Sequence, residues 1–270
     1  MPRPNRTFIC LVAVLGAVAL FAGVLRSRVH RTPLLNGTAS GSVARLNALP
    51  AVILWAWERP EQLEFIDPKR VGVAFLSQTL YLRGNQVVAQ PRRQPLILPE
   101  HTKLIAVTRI EADRAEAPSL SKEQIGLVVN KIADVARSPG VVAVQVDFDA
   151  TRSQQEFYHE LLVALRRELL GSTGLSITAL ASWCQSDDWL SDLPLDEAVP
   201  MLFRMGIERR QILSQLSAGT EFNSRLCRAS AGISIDEPLS TVPKAARLYI
   251  FNPKPWSATA LLNVMESYRR

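Results

Sequence analysis

Val141-Val142-Ala143-Val144-Gln145-Val146-Asp147-Phe148-Asp149 is the stretch on which the fold turns. Successive side chains of a strand point to opposite faces. One face here holds Val142, Val144, Val146 and Phe148, all apolar and suited to lie under covering helices. The other ends in Gln145, Asp147 and Asp149. A strand with an apolar outer face and carboxylates at its C-terminal end fits a parallel barrel, which has helices outside and chemistry at the mouth. An inward carboxylate is costly unless it is paired or near solvent, so two in succession mark a candidate site.

Working outward, seven further apolar runs read as strands, over residues 51–57, 71–80, 103–111, 175–183, 198–205, 231–236 and 247–252. Ser121 and Gln124 form a capping box that opens a helix over 121–137, with Ile125, Val128, Val129, Ile132 and Val135 on one stripe. Ser153 and Glu156 open a second helix over 153–170, carrying Phe157, Leu161, Leu162, Leu165 and Leu169. Shorter helices follow at 208–216 and 257–268. Strands alternating with helices predict a parallel sheet. With eight strands, the expected fold is α/β: an irregular (β/α)8 TIM-like barrel whose first-half helices are degraded, an open α/β sheet being the alternative. Arg83-Gly84-Asn85 before residues 86–90 reads as a hairpin extension rather than a helix.

The ends of the chain add a second expectation. Phe8 to Leu25 contains no charged residue, and Arg3 and Arg6 precede it. Its roughly 27 Å as a helix nearly spans a bilayer core. Residues 1–29 therefore read as a transmembrane anchor or signal peptide, 30–50 as a flexible linker and 51–270 as the barrel-like domain. The formal net charge of +6 belongs to this leader, because Arg3, Arg6, Arg26, Arg28 and Arg31 precede the first acid, Glu58. Without those five, 26 of the 31 basic residues remain against 25 acids, so the domain is close to neutral. That argues against a nucleic-acid binder, whose footprint would be a basic face on the domain. The domain is expected outside the cytoplasm, in the periplasm or beyond, membrane-anchored or secreted if the leader is cleaved.

Polar residues gather at the predicted strand ends. Asp149 is the candidate general acid, with Asp236 or Glu237 as the second carboxylate that glycoside hydrolysis requires. Asp147, Arg109, Glu111, Arg204 and Asn252 would surround them, and Trp55, Trp57 and Trp183 would offer apolar platforms to sugar rings. The expected ligand is a polysaccharide. Bland roles compete: the aspartates can serve ion pairs or helix caps, and the tryptophans can be core. His30, His101 and His159 show neither metal-ligand spacing nor a triad, and no glycine loop cradles a phosphate, so neither metal nor cofactor is expected. Cys184 follows one predicted strand and Cys227 precedes another, which puts them at opposite barrel faces and predicts no disulfide between them.

Several stretches resemble an uncharacterised bacterial family, domain of unknown function 3142: residues 53–60 (Ile-Leu-Trp-Ala-Trp-Glu-Arg-Pro), Ile66-Asp67-Pro68, 71–79, Thr108-Arg109-Ile110-Glu111, Val146-Asp147-Phe148-Asp149, 178–184 and 196–206. That resemblance implies no activity. More loosely, the fourth strand is similar to the D-x-D-x-E pattern of chitinase-like barrel glycoside hydrolases. Asp147 and Asp149 match it, and Thr151 stands where the catalytic glutamate would be. A non-catalytic glycan-binding or envelope-assembly protein on the same fold is therefore the alternative to a hydrolase.

Overall fold

A computed structural model describes residues 45–186 and 188–268. The expected membrane segment lies outside the described residues, and among those described no helix is long and apolar enough to cross a membrane.

Among the described residues eleven strands form: β1 Val52–Ala56, β2 Glu61–Gln62, β3 Val71–Arg83, β4 Gln86–Pro91, β5 Leu96–Ile97, β6 Leu104–Ala112, β7 Val141–Asp147, β8 Gly174–Leu180, β9 Glu197–Met201, β10 Ser230–Ser234 and β11 Arg247–Phe251. Eight of them, β1, β3 and β6 to β11, are parallel neighbours, and β1 pairs with both β3 and β11, which closes the sheet into a barrel. Ile53, for instance, lies opposite Tyr249 on one side and Gly72 on the other. The open-sheet alternative is thereby excluded.

Five helices are described: α1 Lys122–Ala136, α2 Gln155–Glu168, α3 Ala181–Ser186, α4 Arg209–Ser217 and α5 Ala258–Ser267. The long ones, α1 and α2, follow β6 and β7. Their buried stripes (Ile125, Val128, Val129 and Ile132; Phe157, Tyr158, Leu161, Leu162 and Leu165) cover Val144, Val146 and Phe148. The connections after β1 and β3 lack helices, in keeping with the expected degraded first half, because β3 runs on into a hairpin with β4. Gly84 turns that hairpin at φ +48°, a left-handed conformation that suits glycine. Gln124 ties hairpin to helix: its buried amide donates to the carbonyls of Gly84 and Gln86 at 3.0 and 2.9 Å and accepts from the Leu120 N–H at 3.0 Å.

Three local expectations need correction. Strand alternation breaks at Val142, because the β6–β7 register skips it between Leu104↔Val141 and Ile105↔Ala143. The bulge turns Val142 toward the lumen cluster and restores alternation from Ala143 onward. The turn into α2 begins earlier than Ser153: Thr151 caps a 3-10 turn, its N–H bonded by Gln154 Oε1 at 2.8 Å. Finally, Cys184 and Cys227 form a disulfide, with their Cα atoms 5.8 Å apart. The assumption of opposite faces failed because the segment between α4 and β10 runs back alongside α3, where the Ser224 N–H donates to the Cys184 carbonyl at 3.1 Å.

The lumen is packed, not open. Ile53, Trp55, Ala74, Leu76, Ile105, Val107, Ala143, Val199 and Tyr249 fill it, and Leu46 and Leu49 join the same cluster from residues expected to be linker. Glycine makes room at two points. A Cβ on Gly232 would lie 2.9 Å from the Trp55 ring, and one on Gly174 would lie 2.4 Å from Leu46. Buried Glu197 accepts from Arg247 Nη2 at 3.2 Å and from the Tyr249 hydroxyl, an ion-paired group enclosed in the lumen.

Candidate functional site

The C-terminal ends of β6, β7 and β8 bring Arg109, Asp147 and Thr178 side by side, since Arg109 lies opposite Asp147 in the sheet and the Thr178 hydroxyl donates to Asp147 Oδ1 at 2.6 Å. Beneath them the lumen narrows to a polar layer. The Trp55 indole N–H donates to Gln145 Oε1 at 2.9 Å, and the Gln145 amide donates to Ser176 Oγ at 3.2 Å. Trp55 therefore stands at the floor of the mouth with its polar atom satisfied.

Above this layer opens a cavity of about 520 Å³. Trp55, Trp57, Arg109, Asp147, Asp149 and Arg204 line it, all of them expected at the mouth. A second hollow of about 510 Å³ adjoins it, lined by Glu111, Asp113, Arg114, Thr151 and Gln154. Arg109, Asp147 and Asp149 border both. The two aspartates thus stand at the junction of two compartments.

Their surroundings differ. Asp147 keeps only part of its surface open, and enclosure by protein raises its carboxyl pKa above the usual aspartate value. The Thr178 hydrogen bond opposes that rise, while Asp149 and Glu111 add to it and Arg109 subtracts. Asp149, two residues on, is exposed. Arg109 is held by Glu111 at 2.8 Å. The sequence makes Asp149 the candidate acid and Asp147 its tuner; in the structure Asp147 is a carboxyl whose pKa burial raises.

Asp236 and Glu237 stand apart. Neither lines the two hollows. Arg204 Nη2 lies 3.0 Å from Asp236 and Nη1 lies 3.4 Å from Glu237, which Arg209 also holds at 2.7 Å. The Ser234 hydroxyl, first, and Arg204, next, hold the Asp236 carboxyl below the usual range. Arg204 itself has φ +50°, uncommon for a residue with a side chain, and its N–H donates to Glu237 at 3.2 Å. The acids after β10 thus anchor the loop that presents Arg204.

Two other expected site residues lie away from the mouth lining. Trp183 is buried in the outer core, its ring 5.0 Å from that of Trp189 at an edge-to-face angle. Asn252 is buried, and its Oδ1 accepts from the Lys254 N–H at 2.9 Å, shaping the turn after β11. Thr151 spends its hydroxyl on Gln154 at 3.0 Å, within the helix cap.

Reading along the sequence missed Phe203 and Phe251. Their rings stack in parallel at 5.7 Å, the Trp57 ring meets Phe251 edge-on at 6.3 Å, and the Arg204 guanidinium lies 5.7 Å from the Phe251 ring centre. Both belonged to predicted strands, and their position at the strand ends was the available signal. Among the described residues no group of three or more His, Cys, Asp or Glu side chains is placed to hold a metal ion.

Known structures share this architecture at low identity. The chain described as "putative Chitinase A" from Streptomyces coelicolor superposes with a TM-score of 0.52 at 11% identity, covering 81% of this chain and 96% of that one. The Bacillus cereus spore cortex-lytic enzyme SleL gives a TM-score of 0.45 at 14% identity, over 82% of this chain and 59% of that one. No family model and no curated protein sequence matches the chain, so the resemblance to domain of unknown function 3142 has no matching model behind it. At 11% identity the first of these likenesses bears on the fold alone, a TIM-like barrel, and leaves the chemistry to the site itself.

Proposed function

We propose that the barrel mouth binds a polysaccharide of the cell envelope and hydrolyses it, Asp147 serving as the general acid and Asp149 as the second carboxyl group. The observation that carries this is the pair itself: two carboxylates two residues apart at the end of β7, one enclosed and pushed toward protonation, the other open to solvent. Two acids whose environments push them apart can divide acid and base roles between them. Trp57, Phe203 and Phe251 supply apolar ring faces beside the pair. The chitinase-described chain of like fold names the ligand class to try first.

A location outside the cytoplasm is part of the proposal. The Cys184–Cys227 disulfide supports it, since such bonds persist in oxidising compartments. So does the uncharged Phe8 to Leu25 stretch behind basic residues.

A second reading, binding without hydrolysis, is favoured by two observations. Thr151 caps a helix where the similar pattern has a glutamate, and Asp236 and Glu237 are neutralised by Arg204 and Arg209. Reducing-end release from a panel of envelope glycans separates the two. Hydrolysis predicts turnover that falls at least about 100-fold in Asp147→Asn, the scale of a general acid, with glycan binding retained. Binding without turnover in the unaltered protein would establish the second reading and sink the first.

A further inference from the structure

The strand end that carries Trp57 has no helix behind it, because β1 is followed by the short β2. Two arginines hold it instead. Arg92, the first residue after β4, is half-buried. Its Nη1 donates to the carbonyls of Ala56 and Trp57, its Nη2 to that of Arg59 at 2.5 Å and its Nε to that of Gln94 at 2.9 Å. Arg59 reaches the opposite way. Its Nη1 and Nη2 donate to the carbonyls of Pro253 and Asn252, and its Nε donates to Glu61 at 2.8 Å. Glu61, which is buried, also accepts from the Trp256 N–H at 2.9 Å. Three segments are thereby tied together: the end of the β3–β4 hairpin, the turn after β1 and the turn after β11. Trp57 and Phe251 stand at two of these turns, and their rings meet edge-on at 6.3 Å in the wall of the mouth cavity.

We infer that Arg59 and Arg92 are positioning residues, which hold Trp57 against Phe251 so that the mouth presents one fixed aromatic wall to its ligand. The inference rests on the glycan reading above and assigns residues that set its affinity from outside the cavity. Neither arginine lines either hollow, and the guanidinium groups are aimed at protein carbonyls, so they act through Trp57 rather than by touching a ligand. Arginine suits the task. Its planar fork serves several carbonyls at once, whereas a lysine offers three donors from a single point. A wall ordered before binding spares the complex the cost of ordering it.

The test replaces each arginine by lysine, which keeps the charge and loses the fork. Full-length protein labelled with fluorotryptophan gives a fluorine NMR resonance for each of its five tryptophans, assigned by Trp→Phe variants. In Arg92→Lys and in Arg59→Lys the Trp57 resonance should shift or split. Those of Trp183 and Trp189, which pack on each other in the outer core, should stay in place. Calorimetric affinity for chitotetraose should fall at least about threefold in each variant, the lower part of the range for residues coupled in one network. That fall should vanish when Trp57→Ala is already present. A Trp57 resonance that does not move, a fall that persists in the Trp57→Ala background, or movement of every tryptophan resonance in both variants overturns the inference and leaves the glycan reading standing. Absence of chitotetraose binding by the unaltered protein also overturns the inference, and the panel of envelope glycans then decides the glycan reading itself.

Discussion

Asp147 pays for its position. A carboxyl whose pKa is raised by folding keeps its proton longer in the folded than in the unfolded chain, so its contribution to stability is greatest in acid and falls as pH rises from the ordinary value of about 3.9 through the raised one. Asp147→Asn keeps an oxygen for the Thr178 hydroxyl and removes the buried charge. The variant should therefore melt at a higher temperature than the unaltered protein at pH 7, and the gain should vanish below about pH 3.9, checked by thermal unfolding across that range. Trp55→Phe should do the reverse. It strands Gln145 Oε1, which is fully buried, and leaving such a group unpaired costs about 1–3 kcal/mol, measurable by denaturant unfolding. The alternation around Asp147 was legible in the sequence because period two is a local property. The bulge at Val142 was not, because a skipped residue is set by the register with β6 and leaves no mark in the stretch itself.

At the scale of elements, helix caps and hairpins were legible for the same local reason: Ser121 accepts from the Gln124 N–H at 3.2 Å as its spacing suggests, and Gly84 turns the hairpin. The connections were not. The path of the chain between α4 and β10 depends on what it packs against, and that path decides whether Cys184 and Cys227 meet. Likewise Trp183 lies in the outer core against Trp189, and Glu237 is taken up by Arg209 of α4. Since the disulfide closes a loop with a sequence separation of 43 residues, chain entropy alone assigns it about 4 kcal/mol. Cys184→Ser with Cys227→Ser should lower the free energy of unfolding by about 2–4 kcal/mol, and a reductant should do the same to the unaltered protein and nothing to the double variant. Reductant-insensitive stability of the unaltered protein would show that the two sulfurs are not joined.

At the scale of the whole molecule, the count and order of strands foretold a barrel, and closure confirmed it through one strand: β1, which pairs with β3 and β11 at once. The border of the domain was harder to read. Residues 30–50 are rich in small and polar types, and that composition predicts a linker. Yet Leu46 is 1% exposed and packs with Ile53, Ala143 and Tyr249 inside the barrel, while Arg45 reaches Asp196 at 2.8 Å. Leu46 and Leu49 alone set no sustained period in a stretch rich in small and polar residues, so nothing local distinguishes a spacer from a plug. The match exists only in the lumen, where Gly174 leaves the space that Leu46 fills. If the segment were a spacer, Leu46→Ala would change nothing, since exposed substitutions stay within about 0.5 kcal/mol. As a plug, it should cost about 2–5 kcal/mol, as other buried leucines do when truncated. Because Leu46 packs against Gly174 and Ala143, at the starts of β8 and β7, while Asp147 and Asp149 lie at the other end of β7, glycan affinity at temperatures below the unfolding transition should stay as it was. A fall in affinity with unchanged unfolding would place Leu46 in the site rather than in the floor.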